Sequence, residues 1–227
     1  QRTWKSSQGG QLSEYKYLGI YFTRSGSFKK VKLSITEQAT KAMFALLRKI
    51  KLLSLTYDLQ LDLFEKNIKP ILLYGCEIWG GTNNDSIERV QLRFLKYIFN
   101  LKKSTPSYMI YGETGVYPLD IYIKNRMVAF WANLIEDMSK NETQKLSSNM
   151  YLLVYGLHES GQFTIQWLKD IKDILCLSGF SGVWYSQTFI NKTWLVKSML
   201  QRSKDIFIQK WKSEIETTSN TNIYKLL

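Results

Sequence analysis

The sequence predicts a mainly α-helical protein: a short β-hairpin near the start, a three-helix bundle after it and a carboxy-terminal helical domain. Three observations lead to this fold class. Only 3 prolines and 13 glycines interrupt 227 residues, which favours long helices over many short strands. Long segments repeat apolar side chains at steps of three and four, the period of a helix. One run of aromatic and β-branched residues, typical of a strand, lies near the start.

The β element is predicted from residues 14–30. Tyr15 to Phe22 is aromatic and β-branched around Gly19, which is a strand pattern, and residues 24–27 (Arg-Ser-Gly-Ser) have the chemistry of a turn. The segment is therefore a β-hairpin or a last strand with its turn. Gly19 either marks an ordinary bulge in the strand or lets the backbone approach a ligand closely.

A basic amphipathic helix follows from Val31 to Lys51. Its apolar face is expected to consist of Val31, Ile35, Ala39, Ala42, Met43, Leu46 and Ile50. Basic residues occupy the rest of the helix. Lys32, Lys41 and Arg48 are expected to lie off the apolar face.

Two more helices complete the bundle. The first spans about 57–74, with Thr56 as its N-cap and a kink at Pro70, which lacks the N–H and crowds the preceding turn. The second spans about 86–99 and is capped by Asn84 or Asp85. Its core face is expected to consist of Ile87, Val90, Phe94 and Ile98, with Leu101 as a further candidate.

The carboxy-terminal part begins at a boundary near Lys102–Pro106. A short helix to about Tyr111 is predicted first, then helices near 119–137, 146–157, 164–177 and 191–217, with a polar linker at 138–145. The predicted domains are 1–30, 31–103 and 104–227. Four tryptophans fall at core spacing in these helices: Trp131, Trp167, Trp194 and Trp211.

The positive charge is concentrated in one segment. Residues 24–51 carry eight basic residues and one acidic residue, so they contribute +7 to a net charge of +12. A field of this kind attracts a polyanion, and nucleic acid is the commonest one. The alternative is a solvated helix face that keeps the protein in solution.

Cysteine and histidine usage argues against several kinds of site. Cys76 and Cys176 are far apart, and His158 is the single histidine, so four zinc ligands of the usual kind cannot be assembled. With this one histidine, the sequence gives no support for a catalytic Ser-His-Asp arrangement either. Cys76 is expected to be a buried small hydrophobe.

No apolar run approaches the roughly 20 residues of a membrane span, and we expect an intracellular, nuclear or cytoplasmic protein without a membrane partner.

Several motifs occur in a characteristic order. The chain has Lys16-Tyr17-Leu18-Gly19-Ile20, then the basic helix, then the segment 61–66 (Leu-Asp-Leu-Phe-Glu-Lys), then the segment 70–79 (Pro-Ile-Leu-Leu-Tyr-Gly-Cys-Glu-Ile-Trp). This order resembles the carboxy-terminal part of a reverse transcriptase from a non-LTR, LINE-type retrotransposon. Segments 103–106 and 111–115 resemble the helical extension found after the thumb in some such elements.

The resemblance implies that residues 1–30 close the palm, 31–103 form a thumb-like bundle and 104–227 form the extension. The family holds its catalytic metals with a Phe/Tyr-x-Asp-Asp motif, and this chain has no adjacent Asp-Asp pair. We therefore expect no catalysis and no cofactor in this chain, with Mg²⁺ belonging to the presumed parent polymerase. The chain begins with Gln1 rather than Met, so we expect it to be the tail of a longer protein.

The implied function is to grip a primer–template duplex through the thumb. The expected partners are RNA or an RNA–DNA duplex and the rest of the reverse transcriptase, palm and fingers. A thumb holds a duplex by its phosphates and shape rather than by its sequence. The candidate nucleic-acid-binding residues are Lys16, Tyr17, Leu18, Gly19, Lys29, Lys30, Lys32, Lys41, Arg48, Lys49 and Lys51. Tyr17 is expected to be packed rather than stacked on a base. The alternative is a helical protein-interaction module that meets an acidic partner.

Overall fold

The protein is mainly helical with a two-stranded antiparallel hairpin at the start, as the sequence predicts. The computed structural model describes residues 14–81, 83–139 and 146–217. Its strands are β1 (Glu14–Tyr17) and β2 (Ile20–Thr23), and its helices are α1 (Lys29–Leu53), α2 (Tyr57–Asn67), α3 (Lys69–Leu72), α4 (Cys76–Trp79), α5 (Asp85–Ile98), α6 (Ser107–Thr114), α7 (Leu119–Ser139), α8 (Leu146–Glu159), α9 (Gln166–Leu177), α10 (Ser181–Ser186) and α11 (Lys192–Thr217). Of the helices described, none combines the length and apolar character that crossing a membrane requires.

The chain divides into two compact units. The first comprises Gln1–Gly75 and Asn84–Phe94, and the second comprises Cys76–Asn83 and Leu95–Leu227. Each unit has its own buried apolar side chains. The predicted domain boundaries at residues 30 and 103 were drawn from sequence chemistry, and they stay a prediction.

The hairpin reverses earlier than the sequence suggested. Tyr17 pairs with Ile20, so the two-residue turn is Leu18-Gly19, with φ of 46° and 83°. Two positive φ values are the property of a type I′ turn, whose twist matches that of the paired strands. The expected strand from Tyr15 to Phe22 is therefore two strands. The predicted turn at residues 24–27 is present as a second reversal, in which the Gly26 N–H donates to the Thr23 carbonyl at 3.0 Å.

Unit one is built around α1. Its buried face agrees with the predicted one in Val31, Ile35, Ala39, Met43 and Ile50. Ala42 is only half-buried, Leu47 is buried in place of Leu46, and Lys32 joins the face. The helix predicted at 57–74 is interrupted at Ile68, after which Pro70 lies in the first turn of α3, where its missing N–H costs nothing. Thr56 takes the N-cap position with extended backbone but makes no side-chain cap hydrogen bond. Buried residues of the other helices in this unit are Phe64, Ile68, Leu72, Ile87, Val90 and Phe94.

Unit two packs around α7. Trp131 is fully buried, and its Nε1 donates to Tyr151 Oη at 2.9 Å; that hydroxyl donates in turn to Gln187 Oε1. Gly80 allows a close helix approach, because a Cβ there would lie 2.3 Å from Ile123 Cγ2. Further side chains buried in this unit are Trp79, Ile123, Met127, Leu168, Ile171, Leu175, Trp184, Leu195 and Met199.

The predicted core tryptophans behave differently from one another. Trp131 is buried as predicted, whereas Trp167 and Trp211 are half-buried and donate to the carbonyls of Glu77 and Tyr108. Trp194 is 60 % exposed, so its assignment to the core is wrong. It lies in the first turn of α11, where its ring meets Phe180 edge-on at 6.2 Å instead of entering the core.

Cys76 is the buried small hydrophobe that the sequence predicts, and this has a chemical consequence. Burial raises the pKa of its thiol to about 12, with the Glu77 carboxylate adding to the rise. At pH 8 only about one thiol in ten thousand would be ionised, and the thiolate is the reactive form. We expect iodoacetamide to label Cys176, which is half-buried, and to spare Cys76 in the native protein. Intact mass should show one adduct natively, none in Cys176→Ser, and two for the wild type in urea; two adducts in the native protein would contradict the burial of Cys76.

Candidate nucleic-acid interface

The first unit carries most of the excess positive charge. Its described residues include thirteen basic and seven acidic side chains, a net +6, whereas those of the second unit include thirteen basic and eleven acidic side chains, a net +2. The first unit is also the smaller of the two. A polyanion is therefore attracted most strongly to the first unit.

The outward face of α1 holds the exposed cations. Lys41 and Arg48 are seven residues apart, so they lie on one side of the helix with about 10 Å between them along the axis. Both point away from Ala39 and Met43, which are fully buried. Lys29, Lys49 and Lys51 are exposed beside this row. The structure thus gathers five of the predicted residues on the solvent side of one helix.

These five cations have no ion-pair partner among the described residues. Glu37, one turn before Lys41, lies on the same side but does not come within ion-pair distance of it. By contrast, Lys66 of α2 and Lys69, the first residue of α3, each pair with a carboxylate four residues earlier, Asp62 and Glu65, at 2.7 Å. Lys66 and Lys69 thus have the paired pattern of an ordinary solvated helix. The five cations of α1 named above have no such pairing.

Lys32 does not lie off the apolar face, and this expectation is wrong. Its side chain is 6 % exposed, and its Nζ donates to Asn84 Oδ1 at 2.8 Å. Asn84 precedes α5, where its backbone carbonyl accepts the N–H groups of Ile87 and Glu88. Lys32 therefore ties α1 to the start of α5, and its amino group is not presented to a ligand.

Lys30 and Lys16 lie at the hairpin. The Lys30 amino group pairs with Glu14 and stands 4.7 Å from the centre of the Tyr21 ring, and Lys16 lies 5.0 Å from the same centre. Both side chains are exposed. Lys30 is thus partly neutralised by Glu14, while Lys16 keeps an amino group on the surface of β1.

The tip of the hairpin is exposed and anchored. Tyr17 is 56 % exposed and Leu18 is 70 % exposed, so the expectation that Tyr17 is packed is wrong. The Tyr17 ring instead lies nearly parallel to that of Tyr15, with centres 6.4 Å apart. Tyr74 Oη donates to the Leu18 carbonyl at 2.6 Å, and a Cβ on Gly19 would lie 3.5 Å from the Tyr74 ring. Gly19 thus serves the turn and the approach of Tyr74.

Sequence reasoning missed two groups of exposed residues in this unit. Arg89 and Arg93 lie on the outer side of α5; their four-residue spacing was the signal that could have found them. Leu33 and Phe44 are 59 % and 49 % exposed on α1, where the periodicity did not place them in the core. The exposed surface of α1 therefore carries apolar as well as basic side chains.

Unit two contains a cleft of different character. It has a volume of about 580 Å³ and is walled by the aromatic side chains of Tyr111, Phe207 and Trp211. Four carboxylates and two amino groups also line it: Asp120, Asp170, Asp173, Glu214, Lys124 and Lys210. Because the carboxylates outnumber the cations, this cleft disfavours phosphate, and the candidate nucleic-acid interface lies in the first unit.

Among the residues described, no three His, Cys, Asp or Glu side chains are placed to hold a metal ion together. His158 is half-buried near the end of α8, where its Nδ1 accepts the Ile165 N–H at 3.4 Å.

Comparison with protein-family models, with curated proteins and with solved structures finds no match to this chain. A functional interpretation therefore has two supports, the order of the sequence motifs and the geometry of the first unit.

Proposed function

We propose that this chain is a non-catalytic nucleic-acid-binding part of a LINE-type reverse transcriptase, whose thumb grips the primer–template duplex through α1. The observation that carries the proposal is the row of exposed, unpaired cations on α1, in a unit whose described residues have a net charge of +6. The order of the motifs from the Tyr-Leu-Gly segment onward supports it.

The grip would work through phosphates. Lysine amino groups act as mobile point charges, and the Arg48 guanidinium offers a planar fork to a phosphate. Such contacts fix the position of a duplex without reading its bases. Lys16 and the exposed Tyr17-Leu18 tip would meet the nucleic acid beside the hairpin. The palm and fingers of the presumed parent would be the protein partner, and the chemistry of polymerisation would take place there.

The proposal predicts steep salt dependence. Binding of a short RNA–DNA hybrid should weaken with salt along a log–log slope of roughly −4 to −5, because about five phosphate contacts each contribute about −0.9. Fluorescence anisotropy at several salt concentrations measures the slope, and hybrids of different sequence should bind alike. A slope shallower than about −1 would mean that phosphates are not the ligand, and the thumb assignment would fail.

A protein-interaction module with an acidic partner is the second candidate. The exposed Leu33 and Phe44 beside the cations of α1 favour it, because exposed aromatic and aliphatic side chains often mark protein interfaces. The two functions separate in one comparison. Leu33→Gln/Phe44→Gln should leave the salt slope for the hybrid unchanged if α1 grips phosphates. If α1 serves a protein partner, the same variant should lose that partner, and the wild-type slope should already be shallow.

A further inference from the structure

The helix α5 presents two arginines on the side opposite its core. Ile87, Val90 and Phe94 are buried, and Phe94 stacks on Phe64 with ring centres 4.6 Å apart. Arg89 and Arg93 are exposed on the other side, one turn apart. Side chains at this spacing are neighbours on a helix surface, about 5–6 Å apart at their Cβ atoms.

Neither arginine is neutralised within the described part of the chain. No ion pair or hydrogen bond involves the guanidinium of Arg89 or Arg93, in contrast to Lys66 of α2 and Lys69 of α3, which each hold a carboxylate. Two like charges one turn apart destabilise a helix slightly. An anion bound between them would relieve this repulsion.

The chemistry of the guanidinium selects the anion class. Its planar fork matches the oxygens of a phosphate or a carboxylate. A polyphosphate backbone is favoured here because the same compact unit already holds the unpaired cations of α1, and its described residues have a net charge of +6. A backbone supplies phosphates at many successive positions, so it can reach separate groups on two helices. A single acidic side chain of a protein partner could not.

We propose that Arg89 and Arg93 form a second phosphate contact for the nucleic acid that α1 binds. This inference rests on the proposed function. It extends the interface from one helix to two. The arginines of α5 then add about −1.8 to the −4 to −5 expected from the α1 contacts alone, because each neutralised phosphate releases counterions independently. With both helices in contact, the wild-type slope should be roughly −6.

The test compares Arg89→Gln/Arg93→Gln with the wild type on a short RNA–DNA hybrid of mixed sequence. The slope should become shallower by about 1.8, at about 0.9 for each lost phosphate contact. Raising the salt from ~50 to ~200 mM should therefore weaken the wild type by a factor about 12 times larger than the factor by which it weakens the variant. Glutamine is a good helix former, and circular dichroism should show unchanged helicity.

Two matched variants control the experiment. Lys66→Gln/Lys124→Gln removes two charges that already hold carboxylates, and its slope should stay near that of the wild type. Arg89→Lys/Arg93→Lys keeps both charges and should also keep the slope. If the glutamine variant behaves like the paired-lysine control while a charge-reversed α1 loses binding, α5 is not a contact and the proposed function survives. If neither α1 nor α5 variants change the slope, the proposed function itself falls.

Discussion

Reversal of four charges on α1, in the variant Lys41→Glu/Arg48→Glu/Lys49→Glu/Lys51→Glu, is expected to weaken hybrid binding at least about a thousandfold at ~0.1 M salt. Four lost phosphate contacts make the log–log slope shallower by about 3.6. If the lines for the variant and the wild type meet at ~1 M salt, their affinities differ by nearly four orders of magnitude at ~0.1 M. The introduced carboxylates add repulsion. Lys32 is left unchanged, because its amino group is buried against Asn84.

The matched control reverses four exposed cations of another long helix, α11, in Lys197→Glu/Arg202→Glu/Lys210→Glu/Lys212→Glu. Both variants carry the same net charge, so the general field of the protein falls equally in the two. We expect the α11 variant to stay within about tenfold of the wild type, since its contribution is long-range and screened beyond about 10 Å. Equal losses in the two variants would show that net charge, and not the α1 surface, sets the affinity.

Hydrophobic periodicity located the long helices because a buried face repeats every three to four residues wherever one core is packed. The periodicity was ambiguous where two neighbouring apolar residues both fit the three-or-four-residue spacing. Leu46 and Leu47 both follow Met43 at helical spacing, and only packing within the unit decides that Leu47 is the buried one. The short helices α4 and α10 span four and six residues, too few for a period to be visible.

The hairpin turn was missed for a different reason. The two central residues of a type I′ turn are usually Asn-Gly or Asp-Gly, whereas here Leu18 is the first of them and takes a positive φ. A side chain with a Cβ is unfavourable in that region, so local propensity argued against a turn there. Tyr74, 56 residues away, donates to the Leu18 carbonyl and helps to hold the turn. A contact between residues so far apart in the chain cannot be predicted from the residues of the turn alone.

The exposure of the candidate cations on α1 was predicted in most cases and was wrong for Lys32. Charge density pointed to α1, and the structure places Lys41, Arg48, Lys49 and Lys51 on its exposed side. Lys32 was assigned to that side because the periodicity of α1 placed its apolar residues on one face and the basic residues on the rest of the helix. Its partner is Asn84, 52 residues along the chain, and the long aliphatic stem allows the amino group to reach it.

Lys32→Glu is accordingly expected to destabilise the protein by about 3 kcal/mol or more, because a carboxylate would be buried facing the Asn84 side-chain oxygen without a donor. Lys32→Met keeps the length of the stem and should cost far less, since it buries no unpaired charge. Urea unfolding with an unchanged m-value gives both free energies of unfolding. A loss below about 1 kcal/mol in Lys32→Glu would contradict the burial of the side chain.

The same pair of variants separates a structural lysine from a binding one. Lys32→Met removes a positive charge, yet we expect its salt slope on the RNA–DNA hybrid to equal that of the wild type, because a buried amino group displaces no counterion from the duplex. A slope shallower by about 0.9 would instead return Lys32 to the phosphate-binding set. Stability and binding should thus respond to different lysines of one helix: Lys32 holds α1 to the start of α5, and the outward cations are left free to bind.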